Sequence, residues 1–386
     1  MLNELREPVI TGQTRPEKWR RLQLQRMNSL LETHEKEILL ALKNDLGKPA
    51  TEAFFEIIAL RQELKLIERK LTEWMQSKNI PVPLPLQPGK AFIKPEPLGC
   101  VLIIGPWNYP FSLTLQPLIS ALGAGNTAVL KPSEHASETS KLIKQLINRY
   151  FPTNVVQVIE GDGDVASNLL KHKFDHIFFT GGEKIAKKVM EAAAKNLTPI
   201  TLELGGKSPA LVIKGADISV TARRLVWGKG LNSGQTCIAP DHLIVQEYLK
   251  DSLIKAMKEN LINFYGTEPL KSAHLGKIIN KFQFERLVDL LDNAKKKGQI
   301  LAGGNINYDE RIITPTLIEI NSNEDPLMQE ELFGPLLPII CVNNLEEAII
   351  EIRKRPKPLA LYMFGGGEKE QKYISEQTSS GGICFN

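Results

Sequence analysis

Val101-Leu102-Ile103-Ile104-Gly105-Pro106-Trp107-Asn108-Tyr109-Pro110 decides how this chain is read. Four large apolar residues cut off by Gly-Pro have the pattern of a short strand buried in a sheet. The same pattern recurs downstream at Thr127–Lys131, Val155–Ile159, His176–Phe179 and Ile200–Glu203, with helical stretches such as Ala136–Tyr150 and Lys184–Lys195 between them. A second series follows Ser208. Its strands are expected at Ala210–Ile213, Leu243–Gln246, Thr316–Ile320, Leu337–Val342 and Leu361–Phe364, separated by helices near Val220–Trp227, Tyr248–Asn263, Asn280–Lys297 and Leu345–Lys354. Such alternation predicts an α/β protein with two doubly wound parallel sheets. Two such units meeting near Gly205-Gly206 would form a cleft.

Upstream the texture differs. Residues 14–46 read as one long amphipathic helix, with Thr14 and Glu17 as a capping box and Gly47 as its end. A second helix is expected from about Thr51 to Lys78, burying Phe54, Ile57, Ile58, Leu64, Ile67, Leu71 and Trp74. Pro81, Pro83, Pro85, Pro88, Pro95 and Pro97 then exclude a helix and predict an extended, exposed arm, a linker or an oligomerisation hairpin.

At 386 residues the chain exceeds one ordinary core, so two domains are the default. A net charge of +4 gives no nucleic-acid footprint, and Lys295-Lys296-Lys297 before Gly298 reads as a helix C-terminus. Cys100, Cys237, Cys341 and Cys384 show neither paired nor metal spacing, which predicts a reducing compartment, one reactive thiol and three buried ones. The N-terminus lacks an apolar signal region, and no apolar run approaches a membrane span. A soluble, cytoplasmic protein is expected.

Several motifs carry chemistry. Cys237, in Asn232-Ser233-Gly234-Gln235-Thr236-Cys237, has small polar neighbours that would leave a thiol accessible, and a helix start there would lower its pKa. Glu203, in Leu202-Glu203-Leu204-Gly205-Gly206-Lys207-Ser208-Pro209, interrupts an apolar strand, and partial burial would suit it to general-base work. Asn108 ends the opening strand and offers a neutral donor to an oxyanion, or else belongs to a rigid turn packed by aromatics. Lys131 and Glu134 can hold two ribose hydroxyls, with Ser133 as a helix N-cap. Gly181-Gly182 would let a pyrophosphate approach backbone N–H groups, although no full dinucleotide fingerprint is present. In Glu330-Glu331-Leu332-Phe333-Gly334-Pro335, Glu331 could reach a cofactor hydroxyl and Phe333 a flat ring; a solvated acidic turn with Phe333 in the core is the alternative.

In this order and spacing the motifs resemble the NAD(P)-dependent aldehyde dehydrogenases from about Trp19 to Asn386, and details around Glu203 resemble their class 3, fatty-aldehyde branch. The resemblance implies that Cys237 is the nucleophile, Glu203 the general base, and the Asn108 amide with the Cys237 backbone N–H the oxyanion hole. It further implies that Lys131 and Glu134 bind the adenosine ribose, Gly181 and Gly182 lie by the pyrophosphate, Glu331 binds the nicotinamide ribose, and Phe333 contacts the nicotinamide. Ile104, Pro106, Trp107, Leu204 and Gly205 complete the implied cofactor contacts. The expected domains are 1–80 with 98–205 for the cofactor, 81–97 as the bridging arm, and 206–386 for catalysis. NAD is the expected cofactor, because Glu134 would repel a 2′-phosphate, with NADP as the alternative. The substrate would be a medium- to long-chain aliphatic or aromatic aldehyde, the full-length assembly a homodimer, and metal none. Two departures stand out: Ala186 occupies a position where the family usually has glycine, and the chain stops at Asn386, short of the segment that helps line the family's substrate channel. Coenzyme-A acylation, or nucleotide binding without catalysis, are the competing readings; Glu203 argues against the first and intact Cys237, Glu203 and Asn108 against the second.

Overall fold

The apolar run Val101–Ile104 lies in a strand of the computed structural model, Cys100–Ile104, with all five residues buried. The structure describes residues 1–322 and 324–386, in two units: Met1–Asp45 with Ala53–Glu203, and Leu46–Glu52 with Leu204–Asn386.

The N-terminal part comprises α1 (Leu2–Ile10), α2 (Glu17–Thr33), α3 (Glu35–Leu46) and α4 (Ala50–Trp74), then an antiparallel hairpin of β1 (Lys78–Ile80) and β2 (Ala91–Ile93) whose residues are largely exposed. Next come β3 (Cys100–Ile104), α5 (Ser112–Gly123), β4 (Thr127–Lys131), α6 (Ser137–Tyr150), β5 (Val156–Val158), α7 (Gly163–Leu169), β6 (His176–Thr180), α8 (Glu183–Ala194) and β7 (Ile200–Glu203). The strands are all parallel in the order β5-β4-β3-β6-β7. Winding therefore reverses between β3 and β6, and the loops after those strands flank the switch point where such sheets bind ligands. One continuous core joins α2–α6 to β3–β5, from Leu24 to Val158.

The single helix expected over residues 14–46 is two, because His34 leaves helical geometry (φ −114°, ψ 21°) between α2 and α3. Both helices bury one face, so a one-residue break leaves the periodicity intact. The Thr14 capping box does not form: Pro16, which has no side-chain acceptor, is the N-cap of α2. Trp74, expected in the core, is 48% exposed on the last turn of α4.

The second unit continues with β8 (Pro209–Val212), α9 (Ile218–Gly230), β9 (His242–Gln246), α10 (Glu247–Tyr265), α11 (Lys281–Lys296), β10 (Ile300–Ala302), β11 (Ile306–Asn307) and β12 (Ile312–Ile313) as a separate two-stranded sheet, β13 (Thr316–Glu319), β14 (Leu336–Val342), α12 (Leu345–Arg353), β15 (Ala360–Phe364), α13 (Glu368–Gln377) and β16 (Gly382–Phe385). The sheet order is β10-β13-β14-β9-β8-β15-β16; β10 is antiparallel and the rest parallel. Each strand expected from sequence lies within one residue of its observed bounds. Gly298 (φ 69°) ends α11 after its lysines, as expected. Among the described residues, no helix is long and apolar enough to cross a membrane.

Candidate active site

In the first unit the predicted residues gather at the C-terminal edge of the sheet. From Ile104 the chain turns through Gly105, Pro106, Trp107 and Asn108, with Asn108 buried. Gly105 donates its N–H to Lys131 O (3.0 Å) and abuts Thr114 of α5 so closely that no Cβ fits. The first turn of α5 is satisfied from a distance: the buried Glu56 carboxylate accepts from Phe111 N (3.1 Å), Ser112 N (2.9 Å) and Ser112 Oγ (3.2 Å). The same device caps α6. Ser133 does not cap it; Asp45 of α3 accepts from Glu138 N (3.1 Å), Thr139 N (2.8 Å) and Thr139 Oγ1 (2.7 Å).

Lys131, at the end of β4, is buried and donates to Glu134 Oε2 at 2.6 Å. Partial burial pushes the Glu134 carboxyl up, but the Lys131 bond and charge outweigh it and hold the group below its ordinary value. After β6, Gly182 is the N-cap of α8, and no heavy atom lies within 4 Å of where its Cβ would stand. Gly181 meets the Phe179 ring, and Ala186 is buried within α8. Open backbone at a helix N-terminus after β6 and a buried lysine at the end of β4, both on the C-terminal edge of one parallel sheet, fit a dinucleotide's pyrophosphate and ribose. Glu203 is the last residue of β7 and is exposed, so the partial burial expected for it is not met.

Leu204, Gly205 and Cys237 belong to the second unit. Beyond α9 the chain makes a left-handed turn through Asn232 (φ 51°, ψ 33°), Ser233 (φ 52°, ψ 37°) and Gly234 (φ 72°). Two consecutive non-glycine residues there are strained and persist only where surroundings fix them. Gly234 backs onto the Gly334 carbonyl and leaves no room for a Cβ. Gln235, fully buried, donates to Asn232 O (3.0 Å) and Lys277 O (3.1 Å) and accepts from Ile279 N (3.0 Å). Partly exposed Cys237 follows, in a turn closed by Ala239 N to Thr236 O (2.9 Å). It does not begin a helix, so the thiol gains no lowering of its pKa from a helix start. Tyr362 of β15 donates to Ile238 O at 2.5 Å, and burial, with Cys384 and Cys237 nearby, pushes its hydroxyl up to about 12. Of the three cysteines expected in the core only Cys100 is fully buried; Cys341 is half-buried and Cys384 exposed, on the edge strand β16.

Glu331 is not a solvated acidic residue. Its carboxylate lies over Gly205, where a Cβ would collide with it, and accepts from Gly206 N–H. Burial, reinforced by Asp241, raises its pKa to about 7 against the pull of Gly206, Lys207 and Lys229. Lys207 organises the surroundings: its ammonium pairs with Asp241 and donates to Leu327 O (2.9 Å) and Glu330 O (3.0 Å). Asp241 accepts from Leu332 N (2.8 Å), and Arg286 donates to Leu332 O (2.5 Å). The loop bearing Glu331 and Phe333 is thus pinned on both sides. Phe333 is partly exposed with φ 48°. Lys207 stands within the Glu203 motif and Gln235 within the Cys237 motif, but their bracing contacts are not visible there; Asp241 and Glu56 lie in no motif.

The aldehyde dehydrogenase family profile matches residues 12–386. The chain belongs to the aldehyde dehydrogenase family. Human aldehyde dehydrogenase family 3 member B1 is 43% identical over 386 residues, covering all of this chain and 82% of the human protein. The rat "aldehyde dehydrogenase, dimeric NADP-preferring" is 42% identical over 382 residues, 99% of this chain and 83% of the relative. The solved structure of a Staphylococcus aureus aldehyde dehydrogenase in a substrate-bound state superposes with a TM-score of 0.96 at 42% identity, covering all of this chain and 84% of that one. The protein is an oxidoreductase that oxidises aldehydes with NAD(P), on the aldehyde dehydrogenase fold.

Proposed function

We propose that this aldehyde dehydrogenase works through a covalent adduct on Cys237, hydrolysed with the help of Glu203. The observation carrying the reading is the strained left-handed turn before Cys237, held by Ser233 and Gln235 hydrogen bonds and by the close approach of Gly234 to the Gly334 carbonyl. The Cys237 thiolate adds to the aldehyde carbon, and the Asn108 amide and Cys237 N–H donate to the resulting oxyanion. When bound at Lys131, Glu134, Gly181 and Gly182, NAD(P) would supply the acceptor for the hydride that leaves this carbon as the carbonyl re-forms. A thioester is left on Cys237. Glu203 takes a proton from water, the hydroxide adds to the thioester, and the C–S bond breaks to release the acid and the thiolate. An exposed Glu203 suits exchange of that proton with solvent.

In this reading the first unit holds the cofactor: Lys131 and Glu134 at the adenosine ribose, Gly181 and Gly182 at the pyrophosphate, and Ile104, Pro106 and Trp107 along its path. The second unit brings Cys237, with Leu204, Gly205, Glu331 and Phe333 at the nicotinamide end. Medium- to long-chain or aromatic aldehydes, a homodimer paired through the hairpin of β1 and β2, and a cytoplasmic setting complete the proposal. The rat relative is named as dimeric and NADP-preferring, which supports a dimer and makes NADP an alternative to NAD.

The test is single-turnover kinetics. Glu203→Gln is expected to keep a burst of reduced nicotinamide and lose steady turnover, whereas Cys237→Ser loses both. A burst surviving in Cys237→Ser, or absent from Glu203→Gln, overturns the assignment of that residue.

A further inference from the structure

The strain before Cys237 needs a restraint, and one of the strongest comes from far away in sequence. Asn232, the first left-handed residue, donates its backbone N–H to Glu52 Oε2 at 2.8 Å, across 180 positions. Glu52 lies in Leu46–Glu52, the short N-terminal segment that belongs to the second unit. Burial raises the pKa of its carboxyl, partly offset by the Asn232 N–H and by the neighbouring Lys48, whose side chain is also buried. The same segment acts a second time: Leu46 O accepts from Lys277 N (2.8 Å). Lys277 O receives Gln235 Nε2, and the adjoining Gly276 O receives Ser233 Oγ at 2.7 Å. Both ends of Leu46–Glu52 therefore bear on the turn, one directly and one through residues 276–277.

We propose that Glu52 is a positioning residue for the Cys237 thiol: its carboxylate holds Asn232 in the left-handed conformation that aims the following Gly234-Gln235-Thr236-Cys237 backbone. A part-buried carboxylate accepting a backbone N–H is a strong, directional restraint. It acts on a residue type that tolerates the left-handed region but does not require it. Without it, Asn232 and Ser233 can return to ordinary backbone geometry, and the thiol and the Cys237 N–H swing together. The proposal rests on Cys237 being the nucleophile.

The experiment compares Glu52→Ala, Glu52→Asp and Glu52→Gln in the full chain. Read for each are the rate of Cys237 alkylation by iodoacetamide, mapped by mass spectrometry, the burst rate with an aliphatic aldehyde, the Kd for reduced cofactor, and the melting temperature. Glu52→Ala and the shorter Glu52→Asp are expected to slow alkylation and burst in parallel, by roughly tenfold or more, since small displacements of reacting groups are costly. Cofactor Kd should stay within about twofold. Glu52→Gln, whose amide oxygen accepts the same N–H, should recover most of both rates. Native alkylation and burst rates in Glu52→Asp overturn the proposal, even if Glu52→Ala fails to fold. So does a Glu52→Gln as slow as Glu52→Asp. A burst retained in Cys237→Ser would instead refute the nucleophile assignment, independently of Glu52.

Discussion

Gly182→Ala separates cofactor recognition from folding with unusual clarity. Gly182 is the N-cap of α8 with φ −82° and ψ 152°, a conformation any residue adopts, and no heavy atom lies within 4 Å of its missing Cβ. Two small effects on stability oppose each other. Alanine restricts the unfolded chain, a gain of about 0.4–1 kcal/mol. It is a poorer N-cap than glycine, a loss of about 0.5–1 kcal/mol. The net should be within ~0.5 kcal/mol of zero, a melting shift of no more than ~2 °C for a unit of this size. The open space over Gly182 is the space assigned to the pyrophosphate. A methyl there holds the phosphates off the α8 N-terminus, and overpacking of this kind costs about 1–3 kcal/mol. That corresponds to a Kd raised about 5- to 150-fold.

Fluorescence titration with reduced cofactor measures the affinity and a thermal melt the stability, on the same preparation. Gly298→Ala is the control with the opposite profile. It too has open space around it, but its φ of 69° makes alanine strained, so stability should fall by about 1 kcal/mol with Kd unchanged. Gly182→Ala with an unaltered melt and a Kd within twofold of wild type would refute the placement of the pyrophosphate.

Further expectations follow from the charges. Lys207→Met leaves Asp241 buried without its cation and should cost about 3–5 kcal/mol by chemical denaturation, while raising KM for the cofactor through release of the Glu331 loop. Lys207→Met with Asp241→Leu should recover stability without recovering that KM; recovery of both would exclude a positioning role. Glu331, with its pKa raised to about 7, keeps a proton in the folded state between its ordinary value of 4.5 and 7 that the unfolded chain has released. Its contribution is therefore favourable below 4.5 and is lost as pH rises through 7, by up to ~3 kcal/mol. Glu331→Gln should raise the melting temperature at about pH 8 and converge on wild type below about pH 5; parallel curves across that range would contradict the buried carboxylate. Glu134→Gln should raise the ratio of NADP to NAD use, and an unchanged ratio would count against contact with the ribose.

What the sequence makes legible is periodicity and punctuation. Val101–Ile104 and Thr127–Lys131 announce themselves because apolar runs bounded by Gly and Pro have few other fates. Ile300–Ala302, Ile306–Asn307 and Gly382–Phe385 escape notice because they are short, partly exposed edges whose residues need no apolar pattern. The break at His34 escapes for the opposite reason, since both flanking helices bury the same kind of face. The helix caps show a third limit. Ser133 stands where a local cap belongs, yet Asp45 supplies the carboxylate from 93 and 94 positions away, and any acceptor delivered by the fold serves as well as a neighbour in sequence.

The same limit governs the catalytic assembly. Residues proposed to touch substrate or cofactor could be found because chemistry confines them to a few types: a thiol, a carboxylate, an amide, a bare glycine. The residues that hold them in place are not so confined. Glu52 presents to Asn232 only a carboxylate oxygen, Asp241 only two acceptors, and Lys207 only three donors, and each function could be met from any segment the fold brings close. Their positions follow from tertiary structure, not from local pattern. Strain offers the more direct route to them. Asn232 and Ser233 are non-glycine residues in left-handed geometry, and asking what holds them there leads at once to Glu52, Gly276 and Gln235. A costly backbone conformation beside a nucleophile points to its supports, and those supports are where substitutions should change thiol reactivity without touching substrate.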